Sequence, residues 1–369
     1  MGLQGNRYRK YNMGKSLTSC MCFIVSLLLS LPAGCTTMGS AKSMTISNIS
    51  FSPDGKKVLF DCRKKDYPSG IHVYNLETGE LSAYRSVRGE YWSHARYSFD
   101  GKRIVFLIEP LKDKGVAFDN IQLAVMDPDG RNLRTITHSK GFKAFPSFSH
   151  SGSKVIFAIA GRYGTSRSVY AIDFDISEVD VSTGVETRLT DIKFGQMSAP
   201  YFFPDDKRFI FWGEFPYTYS GLSGHLPADI ERMCRQLKSE YQDNMIYLMQ
   251  ANETKLKPYL VHGKYSSKPV LSADGSVLIF RGWAHKPDGQ GDGEQFYQYS
   301  PDGNHRRITH LDALRIWSQA VSQNGELLAV IYEPFKSPDV YKIVIYKVKD
   351  GTSREIVLPD QPSHIINDR

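Results

Sequence analysis

Apolar positions along this chain fall into short runs divided by Gly-bearing turns, and the runs recur in phase. The first unit is FSPDGKKVLF at 51–60: an apolar residue, a tight turn, then an unbroken apolar run. It returns as YSFDGKRIVF (97–106), FSHSGSKVIF (148–157), FFPDDKRFIF (202–211), LSADGSVLIF (271–280) and VSQNGELLAV (321–330). Asp-Gly and Asn-Gly supply the positive φ angles that a two-strand turn needs, so each unit predicts strand, turn, strand. Only Asp206 stands where the others have Gly, and Asp tolerates left-handed geometry better than most residues. The run after the turn does not alternate, which is how a strand buried on both faces reads.

Each unit has a second half of a different kind. IHVYNLETGEL (71–81), LAVMDPDGRNLRTIT (123–137), QYSPDGNHRRIT (298–309) and IVIYKVKDGTSREI (343–356) alternate more and carry another Gly turn, predicting two further strands. The six starts are spaced 46 to 69 residues apart, from Phe51 to Val321, which suits four-stranded blades. The predicted fold class is all-β: a six-bladed β-propeller of four-stranded antiparallel blades over 45–360. Residues 361–369 are expected to be a C-terminal tail, and the ring to close by simple contact between its first and last blades.

The Ser-Pro-Asp-Gly-Lys motif with its apolar run ending in Phe resembles the WD-repeat-like units of TolB-type propellers, over about residues 45–360. TolB proteins carry an α/β domain before the propeller. Here residues 36–50 alone lie between Cys35 and the first unit, so the expectation is a TolB-like ring lacking that domain. The resemblance implies a fold. It implies little about function, because propellers host both binding and catalysis.

The N-terminus follows another pattern. Residues 1–34 contain Arg7, Arg9, Lys10 and Lys15 and no acid, then the apolar stretch MCFIVSLLLSL (21–31). This reads as a secretory signal, too short to span a bilayer, with Met1 or Met13 as its start. The ending Leu31-Pro32-Ala33-Gly34-Cys35 resembles a bacterial lipobox, departing from it at Pro32. That resemblance implies a lipid on Cys35, a short tether over 35–44, and attachment to the periplasmic side of the outer membrane. The formal charge of +7 therefore changes meaning. Without the four basic residues of the signal, 42 Lys and Arg face 39 acids, and no basic groove suggests nucleic acid.

The segments leading into the innermost strands should line one mouth of the central channel. By alignment they present Asn48, His94, Phe145, Ala199, Lys268 and Ser318, with Trp317 beside the last. This polar, basic and aromatic set predicts a binding site for a peptide or glycan, and no catalytic residue is assigned. The fourth unit carries an insertion at about 213–243. Its aromatic start offers Phe215, Tyr217 and Tyr219 as contacts, and Ile230, Met233, Leu237 and Tyr241 share one face of an expected short helix. The histidines lack metal-ligand spacing, and Asp288–Glu294 does not complete a calcium loop, so no metal or other cofactor is expected. Cys62 and Cys234, on opposite sides of the ring, should stay unpaired. The expected function is a non-catalytic binding platform for an envelope protein or polymer. The alternative is a channel-mouth glycan lyase or hydrolase using His94 and Lys268.

Overall fold

The structure, a computed structural model, describes residues 44–63, 70–112, 115–163, 171–214, 232, 244–250, 257–260, 266–285, 292–300 and 303–367. They form six antiparallel sheets arranged as successive blades. Blade 1 holds β1 (Thr45–Phe51), β2 (Lys57–Arg63), β3 (Gly70–Asn75) and β4 (Leu81–Ala83). Blade 2 holds β5 (Glu90–Tyr97), β6 (Ile104–Lys112), β8 (Gln122–Met126) and β9 (Arg134–Thr135), with a two-residue β7 (Gly115–Val116) hooked onto β6. Blade 3 holds β10 (Phe142–Phe148), β11 (Lys154–Tyr163), β12 (Ala171–Asp180) and β13 (Glu186–Arg188). Blade 4 holds β14 (Gln196–Phe202), β15 (Arg208–Glu214), β16 (Asn244–Gln250) and β17 (Lys257–Leu260). Blade 5 holds β18 (Ser266–Leu271), β19 (Leu278–His285), β20 (Asp292–Tyr299) and β21 (His305–Arg307). Blade 6 holds β22 (Ala313–Val321), β23 (Leu327–Pro334), β24 (Lys342–Lys347) and β25 (Ser353–Ile356).

The six-fold repeat is therefore a six-bladed propeller, and its turn chemistry follows the sequence pattern. In blade 1, Ser52 Oγ donates to Asp54 Oδ1 (2.6 Å), which also accepts from the Lys56 amide (3.0 Å), while the Lys57 amide donates back to Ser52 Oγ (2.9 Å). The same Ser–Asp or Ser–Asn pairing closes the turns at Ser98, Ser272 and Ser322. Asp206 takes the left-handed conformation (φ 54°) that glycine holds elsewhere. Its carboxylate accepts from the His150 and Ser151 amides of blade 3, the latter at 2.9 Å, so the replacement adds a tie between blades.

The unbroken apolar runs are the second strands, sandwiched between neighbouring blades. Their ends, Phe60, Phe106, Phe157, Phe211, Phe280 and Val330, are all fully buried. Packing is thus between blades rather than within one hub, and one apolar cluster runs from Val105 in blade 2 to Met249 in blade 4.

Blade 6 takes all four strands from residues 313–356, so the ring closes by blade contact without an exchanged strand. The Ile49 amide donates to Ser318 Oγ (3.0 Å), and Ile46 and Phe51 share a cluster with Ile343 and Ile345. The C-terminal residues add a strap. β26 (His364–Ile365) pairs in parallel with β4, and the Asn367 amide group exchanges hydrogen bonds with the Arg85 backbone at 2.7 and 2.9 Å.

Inner strands begin, and second strands end, on one face of the ring, which is called the mouth face below. The opposite face carries the short turns. The residues of the expected insertion helix, Arg232 excepted, lie outside the described residues, as do Phe215, Tyr217, Tyr219, Cys35 and Cys234. Cys62 is buried in the cluster of blade 1. Among the described residues no helix is long and apolar enough to cross a membrane.

Candidate functional site

Every innermost strand departs from regular pairing near its start. The register slips between Ser47 and Ser50, Ser93 and Arg96, Ala144 and Ser147, Ser198 and Tyr201, Ser267 and Val270, and Ile316 and Ser318. In five blades the bulge holds a non-glycine residue in left-handed geometry: Asn48 (50°), His94 (56°), Phe145 (55°), Ala199 (54°) and Lys268 (45°). Such a conformation costs on the order of 1 kcal/mol or more per residue and persists only where the surroundings enforce it. A bulge breaks the two-residue alternation and re-aims a side chain. In blade 6 the extra residue is Trp317, which settles the register there: both Trp317 and Ser318 face the channel.

These positions meet in one pocket. Asn48, His94, Phe145, Ala199, Lys268, Trp317 and Ser318 all line about 480 Å³ of open space on the mouth side. Arg96, Ser198, Tyr201 and Gln319 also belong to its wall, and sequence reasoning missed them. Arg96 and Tyr201 lie two places after the bulged His94 and Ala199, so the same strand geometry brings them inward one layer deeper.

The deeper layers close the channel. Arg96 donates to Tyr201 Oη across the axis and stacks over its ring at 4.7 Å. Beneath them Phe99 stacks on His150 with centroids 3.8 Å apart, and Gln323 Nε2 donates to the Phe99 carbonyl (3.1 Å). The His150 ring contacts the Ala273 carbonyl, and the Ala273 amide donates to Gln323 O (2.9 Å). The Arg96–Tyr201 pair thereby bounds the pocket, and side chains and backbone of blades 2, 3, 5 and 6 close the channel beyond it.

The electrostatics of the wall are one-sided. Among the described residues its titratable side chains are His94, Arg96, Lys268 and the Tyr201 phenol, with no carboxylate in the lining. Burial, helped by the Arg96 charge, holds the His94 imidazole down to about 3, so it is neutral at neutral pH. Its Nδ1 lies 3.0 Å from Ser93 Oγ and 3.4 Å from Asn48 Nδ2, and Phe145 meets the ring edge-on. Burial also pushes the Lys268 amine well below its ordinary value, with the Arg281 charge acting the same way and Glu294 opposing. Arg281 is fully buried and held by Gln319 and by the Ile316 carbonyl (2.9 Å).

The acids lie behind this wall, in an adjoining recess between blades 1, 2 and 3 lined by Asp61, Ser93, Glu109 and Lys143. Asp61 accepts from Asn48 Nδ2 and from the His94 amide (3.1 Å), pinning the two bulges together. Ser93 Oγ donates to Glu109. Burial raises both carboxyls. The Lys143 amine is pulled down to about 8 by burial and donates to the Ile121 (3.2 Å) and Ser139 carbonyls. The two acids are thus held by Asn48, Ser93 and the His94 amide, and Lys143 by backbone carbonyls, and together they scaffold the mouth. Among the described residues no group of three or more His, Cys, Asp or Glu is arranged to hold a metal ion.

With this geometry in hand, solved structures give a clear match in fold. The chain superposes on TolB from Acinetobacter baumannii with a TM-score of 0.55 at 16% identity, covering 88% of this chain and 65% of that one. The fold is that of a TolB-like propeller. An oligogalacturonate lyase in complex with manganese gives 0.53 at 15% identity, covering 86% of this chain and 79% of that one. A prolyl endopeptidase gives 0.50 at 12%, covering 87% and 43%. No family model matches the sequence, and no curated protein matches it either. At these identities the likeness extends to architecture alone, and the chain spans just under two thirds of the TolB chain.

Proposed function

We propose that this propeller is a binding platform for a protein of the bacterial cell envelope, held near the outer membrane through a lipid on Cys35. The observation that carries the binding reading is the chemistry of the pocket. It gathers donors and aromatic surface from all six blades, yet its imidazole is held at about 3 and no carboxylate lines it among the described residues. A general base works best near the operating pH, and this one is several units away. That argues against His94 as the base of the lyase or hydrolase alternative.

The mouth face also suits a protein partner. Val87, Leu111, Trp283, Leu314, Phe335 and Val340 are exposed apolar residues on it, against Leu133 and Val185 on the turn face. Exposed apolar side chains on the face that bears a polar pocket resemble an interface more than a carbohydrate cleft.

The test is charge insertion followed by crosslinking in intact cells. Leu314→Glu with Phe335→Glu should reduce the crosslinked partner by roughly tenfold or more, as expected for charges placed in an interface core. Val185→Glu on the turn face should leave it unchanged. Equal yields from all three proteins would contradict the proposal.

A further inference from the structure

We infer that the closed pocket is a carboxylate site, which the protein partner fills with an acidic side chain or a chain terminus. This rests on the binding-platform reading and names what the platform recognises. Three observations carry it. Arg96 is half-buried in the channel, and its hydrogen bond goes to the Tyr201 phenol; no carboxylate pairs with it among the described residues. A guanidinium has five N–H donors and pairs best with a bidentate acid, so most of its capacity is unspent.

Polar atoms in the same wall also lack partners. Ser198, 3% exposed, has a buried hydroxyl with no hydrogen bond, and the buried Trp317 Nε1 and His94 Nε2 likewise have none. Buried polar groups are normally satisfied, and several orphans around one pocket point to a ligand that completes them. Lys268 supplies the third observation. Its left-handed backbone places it in the wall on the far side from His94, near the buried Arg281 and with Glu294 as the nearby acid. An anion entering between Lys268 and Arg96 would give the Arg96 guanidinium a charged partner inside the channel. The exposed apolar residues of the mouth face, among them Leu314 on the same strand as Trp317, favour a protein carboxylate over an acidic sugar.

The full exported chain should be titrated calorimetrically with acetyl-Gly-Glu-Gly-amide, its Gln counterpart, galacturonate and inorganic phosphate. The account expects saturable one-to-one binding of the Glu peptide, at least tenfold weaker binding of the Gln peptide, and weaker binding of galacturonate and phosphate. Arg96→Gln and Lys268→Met should each weaken the Glu peptide at least tenfold, while Arg96→Lys recovers part of the loss. Unchanged melting temperatures would show that the variants fold. Equal binding of Glu and Gln peptides, or no saturable binding, overturns the carboxylate site; tighter binding of galacturonate overturns the protein source. If the mouth-face charge insertions still abolish partner crosslinking while the titration is flat, this inference fails alone. If they have no effect, the platform reading fails with it.

Discussion

Phe211→Ala should lower the unfolding free energy by about 3–5 kcal/mol, the usual range for truncating a buried aromatic. Phe211 ends the fourth repeat and is fully buried. It meets Phe194 edge-on at 5.5 Å between centroids and packs against Tyr247 at 5.5 Å. Phe194 sits on the link from blade 3 and bridges to Phe174 of its β12. The truncation therefore opens a void at a blade junction, where rigid sheets on both sides limit collapse. The matching control is Phe335→Ala, 56% exposed, which should stay within about 0.5 kcal/mol of the parent protein. Urea denaturation monitored by circular dichroism measures both. A loss below about 1 kcal/mol for Phe211→Ala would mean that the interblade core does not hold the ring together.

Asp61→Ala should cost about 2–4 kcal/mol, because it strips the buried acceptor from two half-buried donors at once. Asn48 Nδ2 and the His94 amide both end on this carboxylate, and both belong to left-handed bulges that only such ties keep in place. Asp61→Asn retains one acceptor and removes the buried charge, so it separates hydrogen bonding from ionisation. Burial raises the Asp61 carboxyl, with Glu109 adding repulsion while the Asn48 and His94 bonds and Arg63 oppose. A raised folded value means that the proton is held more tightly in the native state. The stability it contributes is present in full below the unfolded value, about 3.9, and is lost as pH rises through the folded value. The stability of Asp61→Asn relative to the parent should therefore increase from pH 4 toward neutrality. A difference that shrinks over that range would contradict the assignment.

How much of this could be read from the sequence follows from which interactions are local. The turns are local: Ser52, Asp54 and Gly55 carry their own hydrogen bonds and φ, so six copies in phase announced six blades. One channel position per blade was legible for the same reason, since a fixed offset from the motif always lands on the bulge. Arg96 and Tyr201 were not, because a bulge breaks alternation and its consequence for later residues depends on the partner strand's register. Asp61 sits in a run that reads as core, Val58–Cys62, and its role arises from Asn48 and from His94 of the next blade. The strap over 361–367 reads as a tail in the sequence, because its two-residue strand acquires meaning only from pairing with β4, far away in sequence.

The central claim is that the mouth face, with its closed pocket, is where this protein meets its partner. It is tested most directly by placing a photo-crosslinking amino acid at position 314 and, separately, at position 185, in living cells. Leu314 lies in β22, the strand that carries Trp317, at its mouth-face start, and Val185 lies on the turn face. The account predicts a discrete crosslinked protein from position 314 that disappears in an Arg96→Gln background, and none from position 185. Crosslinks from position 185 alone, or from both positions alike, would contradict it.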